Sequence, residues 1–183
     1  MTTSQHKNMA ILVGGGPAPG INSVISAATI RAELEGVSVL GIRDGFQWLM
    51  QGNIEHVHPL TIDEVSRIHF RGGSHIGIAR ANPTKDPQLL EAAVISLLRL
   101  NVSRLVTIGG DDTAFSAMKL AEKADGRIAV VHVPKTIDND LDLPPDVDTF
   151  GFQTARHVGV EIVKNLMVDA RTTSRWYFVI AMG

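Results

Sequence analysis

The amino-acid sequence predicts a three-layer α/β/α fold, in which a mostly parallel sheet lies between two layers of helices. Two observations support this prediction. Short apolar runs alternate along the chain with amphipathic patterns of helical period, and glycine or acidic residues follow most of the runs. In open parallel sheets, ligands bind outside the carboxyl ends of the strands. A binding site is therefore expected at the glycine and acidic residues that follow the strands.

Composition excludes several classes of function. The formal net charge is −2, from 17 Lys and Arg against 19 Asp and Glu, so neither a nucleic-acid face nor a membrane-surface patch is expected. The absence of cysteine excludes disulfides and thiolate metal sites, and it fits a cytoplasmic location. No run approaches the ~20 apolar residues that span a bilayer. Four histidines, His56, His58, His69 and His75, lack the spacing of a metal site and are interpreted as surface or loop residues.

The first predicted strand, Met9–Val13, is a continuous apolar run, as expected of a strand covered on both faces. A glycine-rich loop, 14–20, separates it from a predicted helix, Ile21–Leu34. Backbone N–H groups at a helix N-terminus favour anions, so this arrangement could bind phosphate. A tight turn that needs glycine for positive φ is the alternative. The elements predicted next are a strand at 37–42, a helical piece at 46–49, a weak strand at 54–60 and a helix at 61–68 capped by Thr61.

The second half of the chain continues the alternation of helices and strands. Helices are predicted at 86–100, 113–123 and 149–170, and strands at 104–108, 128–133 and 176–182. The helix at 86–100 has one apolar stripe, which assigns that face to the core. The last strand has no helix after it, so the sequence is expected to be one domain over residues 1–183, truncated before a further part.

Acidic residues follow two of the predicted strands. Gly109-Gly110-Asp111-Asp112 follows one, and Pro-Lys-Thr-Ile-Asp-Asn-Asp, residues 134–140, follows another. Mg²⁺ is typically held by one or two carboxylates together with substrate phosphates. Turn formation and helix capping are alternative roles for such residues. Two loops of this kind at matching positions favour a site for a divalent cation and phosphate. Arg80, in a glycine-rich stretch, is a candidate phosphate clamp.

The order of these motifs resembles the phosphofructokinase family. The motifs are Gly-Gly-x-Ala-Pro-Gly at 15–20, Gly-Gly-Asp-Asp at 109–112, Thr-Ile-Asp-Asn-Asp at 136–140 and the terminal Met-Gly. The resemblance covers essentially the whole chain and implies the N-terminal, phosphoryl-donor domain of such a protein. Two positions depart from the usual pattern: Pro17 stands where many members carry Asp, and Ile180 stands where an acidic residue is common.

The resemblance implies roles for residues of both acidic loops. Asp138 matches the catalytic base that takes the proton from the 1-hydroxyl of fructose 6-phosphate as that oxygen attacks the donor phosphorus. A carboxylate suits this role because phosphoryl transfer depends mainly on positioning and charge neutralisation. Thr136 matches a contact to the transferred phosphoryl group, beside Lys135. Asp111 matches the aspartate associated with Mg²⁺, the implied cofactor, and Asp140 lies close enough in sequence to support it.

The resemblance also implies two sets of binding residues. The donor-binding residues are Gly15, Arg80, Gly110, Asp112 and Lys135. The sugar-phosphate-binding residues are Thr136, Asp138, Asp140, Arg175, Met182 and Gly183. Arg175 matches an arginine that reaches the sugar phosphate of a neighbouring subunit, so a homo-oligomer, a dimer or a tetramer, is expected of the full-length form.

Two residues indicate the phosphoryl donor. In the ATP-using branch, glycines typically stand at the positions of Asp112 and Lys135, whereas this pair matches the pyrophosphate-dependent branch. A carboxylate at 112 would fill the space of a nucleotide α-phosphate and repel its charge, and a lysine can neutralise pyrophosphate. The resemblance therefore implies a reversible glycolytic transfer from pyrophosphate to fructose 6-phosphate. An ATP-dependent sugar-phosphate kinase, a lipid or NAD kinase and a non-catalytic phosphate-binding fragment are the alternatives.

Overall fold

The structure, a computed structural model, describes residues 7–147 and 149–181. In these residues the strands are β1 Asn8–Val13, β2 Val39–Ile42, β3 Val57–Leu60, β4 Val102–Gly109 and β5 Ala129–Pro134. The α-helices are α1 Ile21–Leu34, α2 Ile62–Val65, α3 Pro87–Arg99, α4 Asp111–Ala124 and α5 Phe152–Thr173, and two 3₁₀ helices span Leu49–Gln51 and Pro83–Lys85. The predicted alternation of strands and helices is confirmed.

The sheet has the order β3-β2-β1-β4-β5, and only the β2–β3 pair in it is antiparallel. Strand β1 is buried on both faces, which explains its continuous apolar sequence. Met9, Ile11 and Val13 belong to a core with α1 and α2, whereas Ala10 and Leu12 belong to a core with α3 and α4. Because successive side chains of a strand point to opposite faces, one short run supplies both cores. The fold is therefore the predicted three-layer α/β/α arrangement.

The order of the strands reverses beside β1. The crossover through α1 leads from β1 to β2 on one side, and the connection through α3 leads to β4 on the other side. Such a reversal opens a crevice at the carboxyl ends of the two central strands. The glycine loop follows β1, the acidic turn Gly110–Asp112 follows β4, and the loop 135–140 follows β5. The topology thus brings the predicted functional loops to one edge of the sheet.

Several predicted boundaries needed correction. Strand β2 begins at Val39 rather than at 37, and the predicted weak strand at 54–60 is limited to Val57–Leu60, where it pairs antiparallel with β2. Thr61 precedes α2 but makes no capping hydrogen bond through its side chain. Instead, a carboxylate oxygen of Glu33 accepts the N–H of Ile62 at 2.5 Å. A residue distant in the chain therefore supplies the cap.

The predicted strand at 176–182 is not formed in the described residues. Residues 175–181 have no regular structure and are exposed, and Met182 and Gly183 lie outside the described residues. Helix α5, which precedes this segment, has no residue buried by the described part of the chain. An apolar run predicts that a segment tends to be buried, but a strand also needs a neighbouring strand for its backbone hydrogen bonds.

Of the four histidines interpreted as surface or loop residues, His56, His69 and His75 lie outside the strands and α-helices, whereas His58 lies on strand β3. His58 and His75 are partly buried and share one partner, Glu64. His56 stacks on Trp48 with ring centroids 3.9 Å apart, and His69 is exposed.

Of the helices within the described residues, none is long and apolar enough to cross a membrane.

Candidate active site

A cavity of about 540 Å³ lies at the carboxyl edge of the sheet, where the loops after β1, β4 and β5 meet. Nine of the twelve predicted site residues line it: Gly15, Arg80, Gly110, Asp111, Asp112, Lys135, Thr136, Asp138 and Asp140. Arg175 does not line this cavity and is exposed after α5. The predictions for Met182 and Gly183 fall outside the described residues. The structure thus brings the predicted donor-side residues together but leaves Arg175 apart from them.

Glycine is required in the loop after β1 because other elements approach it closely. A Cβ atom on Gly14 would lie 2.4 Å from Oγ1 of Thr113, the buried residue in the first turn of α4. Gly15 has a φ of 84°, and its N–H donates to the carbonyl of Ala79 at 3.2 Å. The loop is therefore packed between α4 and residue 79. The turn interpretation thus applies to Gly15, and the same loop also lines the cavity.

The N-terminus of α1 is not among the residues that line the cavity, contrary to the expected phosphate-binding arrangement. Gly20, which precedes α1, has a φ of 97°, and a Cβ there would lie 2.8 Å from the ring of Phe150. The start of α1 is thus packed against Phe150. The helix N-terminus that lines the cavity belongs to α4, through Gly110, Asp111 and Asp112.

Two cationic side chains flank the glycine loop. The Nζ of Lys135 donates to the carbonyl of Gly16 at 2.5 Å and lies 3.6 Å from where a Cβ of Gly15 would be. An Nη atom of Arg80 lies 3.7 Å from the corresponding position at Gly16. Lys135 comes from the loop after β5 and Arg80 from the loop before the second 3₁₀ helix, so the fold assembles the pair from distant segments. Together they make this side of the cavity favourable for an anion.

Lys135 is only 5% exposed. Burial lowers the pKa of Lys135 below its ordinary value, and the charge of Arg80 lowers it further, while Asp138 opposes both. The protonated form of Lys135 is stabilised when an anion binds in the cavity, because the anion compensates for the solvation lost on burial and for repulsion by Arg80. The two cations therefore favour a multiply charged ligand such as a phosphate.

Carboxylate oxygens also line the cavity. Asp111 and Asp112 lie in the first turn of α4, where the positive end of the helix dipole stabilises negative charge. Both residues are exposed to the cavity, as is Asp140. Oδ1 of Asp138 is buried and has no hydrogen-bond partner in the described part of the chain. The open carboxylates of Asp111, Asp112 and Asp140 form an oxygen donor set that fits a hard cation such as Mg²⁺.

The loop that carries Asp138 is held by a side chain from beyond the predicted motif. Thr149 donates its hydroxyl to the carbonyl of Thr136 at 2.6 Å, and its N–H donates to the side-chain oxygen of Asn139 at 3.0 Å. Asn139 has a φ of 56°, a conformation that asparagine tolerates better than most residues. The N–H of Asp138 donates to Oγ1 of Thr136 at 3.1 Å. Asn139 therefore shapes the loop, whereas Thr136, Asp138 and Asp140 line the cavity.

Sequence reasoning missed His132, which supports the turn after β4. Its Nε2–H donates to the carbonyl of Gly109 at 3.0 Å, and the Thr107 hydroxyl donates to its Nδ1 at 2.8 Å. A carbonyl can only accept, which assigns the proton to Nε2 and leaves Nδ1 as the acceptor. Burial lowers the pKa of His132, although the hydrogen bond to Gly109 opposes this effect. The neutral imidazole therefore helps to hold the backbone at Gly109, just before α4 begins.

Asn82 and Thr113 also line the cavity but were not predicted as site residues. Oδ1 of Asn82 accepts the N–H of Thr84 at 2.8 Å, so Asn82 caps the 3₁₀ helix Pro83–Lys85. The Asn-Pro pair was a signal for this cap, since asparagine is favoured before a helix and proline at its first position. Nothing in the local sequence indicated that Thr113 would pack against Gly14, which lies far from it in the chain.

A sequence model of the family described as Phosphofructokinase matches residues 8–183. The chain belongs to the phosphofructokinase family. The motifs of the glycine loop and of both acidic loops all lie within the matched region. Membership confirms the family predicted from these motifs and leaves the individual roles of the site residues as predictions.

Curated relatives of this phosphofructokinase-family chain match it over most of its length. "Pyrophosphate--fructose 6-phosphate 1-phosphotransferase" from Thermotoga maritima is 59% identical over 97% of the chain and 42% of the relative. The protein of the same name from Naegleria fowleri is 54% identical over 100% of the chain and 42% of the relative. "ATP-dependent 6-phosphofructokinase" from Lysinibacillus sphaericus is 34% identical over 97% of the chain and 53% of the relative. The chain thus spans about two fifths of the length of the first two relatives.

Solved structures support the fold of this family member. Phosphofructokinase from Saccharomyces cerevisiae has a TM-score of 0.80 with 23% identity, over 92% of this chain and 25% of that chain. A pyrophosphate-dependent phosphofructokinase from Marinobacter aquaeolei has a TM-score of 0.71 with 21% identity, over 91% of this chain and 42% of that chain. At these identities the likeness establishes the fold alone.

Proposed function

We propose that this chain forms the phosphoryl-donor part of an enzyme that transfers a phosphoryl group from pyrophosphate to the 1-hydroxyl of fructose 6-phosphate. The observation that carries the proposal is the convergence in one cavity of two cations, Lys135 and Arg80, with the carboxylate of Asp112. The cations suit a compact polyanion. The carboxylate makes the start of α4 unfavourable for the α-phosphate of a nucleotide such as ATP.

The names of the more similar relatives support the same donor. The two relatives at 59% and 54% identity are both named for pyrophosphate and fructose 6-phosphate. The relatives named as ATP-dependent that match the chain at 33–34% are more distant. An ATP-dependent kinase is therefore the second candidate, favoured by family membership but disfavoured by Asp112 and Lys135.

Each proposed step follows from the side chains at the cavity. Lys135 and Arg80 hold the pyrophosphate oxygens and neutralise their charge, and Thr136 contacts the phosphoryl group that moves. The 1-hydroxyl oxygen of the sugar phosphate forms a bond to the terminal phosphorus while the bridging P–O bond breaks and orthophosphate leaves. Asp138 accepts the hydroxyl proton, a role for which its Oδ1 is available because it has no hydrogen-bond partner among the described residues.

Asp111 and Asp140 would hold the cofactor Mg²⁺ together with phosphate oxygens, because both carboxylates are open to the cavity. When bound, the ion would supply further neutralisation of charge on the phosphates. Pyrophosphate and the sugar bisphosphate product are phosphoryl donors of similar strength, so we propose a reversible, glycolytic reaction. A cytoplasmic location and a homo-oligomer, a dimer or a tetramer, complete the proposal.

Replacing Asp112 with glycine tests the choice of donor. Transfer to fructose 6-phosphate would be measured with Mg²⁺ and either pyrophosphate or ATP, on this chain and on any longer natural chain. The unchanged protein should use pyrophosphate and not ATP. Asp112→Gly should gain ATP use, because it removes a charge and several atoms from the start of α4.

The control variant for this test is Asp63→Gly. It also removes an acidic side chain from the first turn of a helix, but in α2, and Asp63 is not among the residues that line the cavity. It should leave the donor preference unchanged. Turnover with ATP alone in the unchanged protein, or ATP use that Asp112→Gly does not alter, would contradict the proposed role of Asp112.

A further inference from the structure

Three potential metal ligands from separate segments meet at one point. His58 lies on the edge strand β3, Glu64 on α2, and His75 in the loop that follows α2. Nε2 of His58 lies 2.5 Å from Oε1 of Glu64, and Nε2 of His75 lies 2.9 Å from the same oxygen. Both imidazoles therefore direct the same ring nitrogen at one carboxylate oxygen. We call these three residues the His-Glu-His cluster.

The spacing of the donor atoms is close to that of a metal site. One ligand atom from each residue can be chosen so that all three lie within 4.8 Å of one another. In a tetrahedral zinc site with bonds of about 2.0–2.1 Å, ligand atoms are separated by roughly 3.3 Å. The hydrogen-bonded distances in the cluster are slightly shorter than that. To admit an ion, the two imidazole nitrogens would each move away from the carboxylate oxygen by roughly 0.4–0.8 Å.

The cluster is neither fully exposed nor fully buried. The side chains of His58, Glu64 and His75 are 35%, 30% and 28% exposed, respectively. Partial exposure leaves an approach for the ion and a position where water can complete its coordination. Partial burial limits the number of side-chain rotamers, so less conformational entropy is lost on binding than for three freely exposed ligands.

The position of His75 is fixed by a buried side chain on α1. Asn22 is 3% exposed, and its Oδ1 accepts the N–H of His75 at 2.8 Å. The Nδ2 of the same asparagine donates to the carbonyl of Arg71 at 2.9 Å. Asn22 therefore holds both ends of the segment 71–75 against α1. The loop that supplies the third ligand is consequently anchored to the core of the domain.

We propose that His58, Glu64 and His75 bind a divalent transition-metal ion, Zn²⁺. Two imidazole nitrogens and one carboxylate oxygen form a ligand set that suits Zn²⁺, with solvent as the fourth ligand, and that does not suit Ca²⁺ or Mg²⁺, which prefer oxygen ligands alone. The donor cavity is lined by other residues, so this site is separate from it.

The bound ion would tie the edge of the sheet to a long connection. The residues from α2 to the second 3₁₀ helix contain little regular structure and include Arg80 of the donor cavity. An ion held by β3, α2 and this connection would join all three. Because the ligands come together only in the folded chain, Zn²⁺ should raise the thermal midpoint of unfolding as its concentration rises.

Calorimetry with ZnCl₂ on the untagged, chelator-treated chain tests the proposal. The unchanged chain should bind one Zn²⁺ at this site. His58→Ala and His75→Ala should each weaken this binding by at least the ~10–100-fold that loss of an outer-shell partner causes. Glu64→Gln keeps the shape of the side chain and should weaken it as well. His157→Ala removes an exposed histidine on α5 and is the matched control, which should bind as the unchanged chain does.

Two further measurements exclude a loss of fold as the cause. Far-ultraviolet circular dichroism should be the same for each variant and the unchanged chain. Co²⁺, used as a probe, should give visible absorption bands in the unchanged chain and in His157→Ala but not in the other variants. Absence of saturable Zn²⁺ binding, or binding that survives all three substitutions, would overturn the proposal and leave a hydrogen-bonded cluster only.

Discussion

The carboxyl edge of the sheet and the segment from α5 onward contrast in how their residues are held. At the carboxyl edge, nine predicted site residues from four loops meet in one cavity, and backbone hydrogen bonds and buried side chains fix those loops. Helix α5 buries none of its residues against the described chain, and Trp176, Phe178 and Ile180 after it are each about 90% exposed. The loops around the cavity are therefore held in place by contacts within this chain, whereas the segment with Arg175 is not.

The comparison shows what an apolar sequence determines. The apolar runs at β1 and at residues 176–181 both predict a strand. Strand β1 has β2 on one side and β4 on the other, and it is buried on both faces. Residues 175–181 have no strand beside them among the described residues. Composition thus indicates the tendency to be buried, while the fold decides whether a partner is present.

The largest expected effect comes from comparing one apolar residue in each region. Leu12 is fully buried in β1, and Leu12→Ala should lower the free energy of unfolding by about 2–5 kcal/mol through lost burial and a cavity. Phe178→Ala should change it by less than about 0.5 kcal/mol, because the ring is already exposed. Urea denaturation of both variants measures the difference. Equal losses would show that residue 178 is packed in solution.

A smaller effect is expected when one cation is removed from each region. Lys135→Met should weaken pyrophosphate binding about 10–100-fold, which corresponds to the ~1.5–3 kcal/mol of hydrogen bonds to a charged group. Arg175→Met should leave this binding unchanged, because Arg175 does not line the cavity. Titration calorimetry with Mg²⁺ present measures both. Weaker binding in Arg175→Met would mean that this arginine reaches the donor site.

The pKa of Lys135 sharpens this prediction. Burial and the charge of Arg80 lower that pKa, so the proton that supports anion binding is lost at a lower pH than in an ordinary lysine. Pyrophosphate affinity should therefore fall as the pH rises through the pKa of Lys135. Lys135→Met should not show this alkaline decline. A decline of the same size in that variant would assign it to another group.

The smallest predicted effect concerns His132 and appears only in acid. Burial lowers its pKa in the folded chain, so the unfolded chain binds the proton more tightly. The contribution of the neutral His132 ring to the free energy of unfolding is fully present above about pH 6.5. It is lost as the pH falls towards the folded-state pKa. The loss cannot exceed about 1.4 kcal/mol per pH unit for one proton.

His132→Asn removes this titration, so the slope of the free energy of unfolding against pH should fall by up to about 1.4 kcal/mol per pH unit. His157→Asn changes an exposed histidine on α5 and should keep the slope of the unchanged chain. Urea denaturation between pH 5 and about pH 7.5 covers the window in which a lowered histidine pKa acts. An unchanged slope in His132→Asn would contradict the assigned effect of burial.

Much of the fold and of the donor side could be predicted because local patterns determine them. Apolar runs and helical stripes identified β1, β4, β5 and the central helices, and the rule that ligands bind at carboxyl ends placed both acidic loops at one edge. Arg80 was predicted from its charge and its glycine-rich surroundings. The structure brings it beside Gly16, although the two are far apart in the chain.

The rest depended on contacts that local sequence does not specify. His58 and His75 have no metal-site spacing, and they meet only because β3 runs antiparallel to β2 and Asn22 holds the loop of His75. The cap of α2 by Glu33 and the support of Gly109 by His132 likewise join residues from different elements. Such pairs follow from register and loop path, which sequence periodicity leaves open.

The most direct test of the donor site is a calorimetric comparison of pyrophosphate and ATP binding by this chain with Mg²⁺ present. If Lys135 and Arg80 neutralise a compact polyanion while Asp112 excludes a nucleotide, pyrophosphate should bind with a stoichiometry of one and ATP should bind much more weakly. Asp112→Gly should narrow that difference. Equal affinities in the unchanged chain, or tighter binding of ATP, would contradict a pyrophosphate-specific donor site.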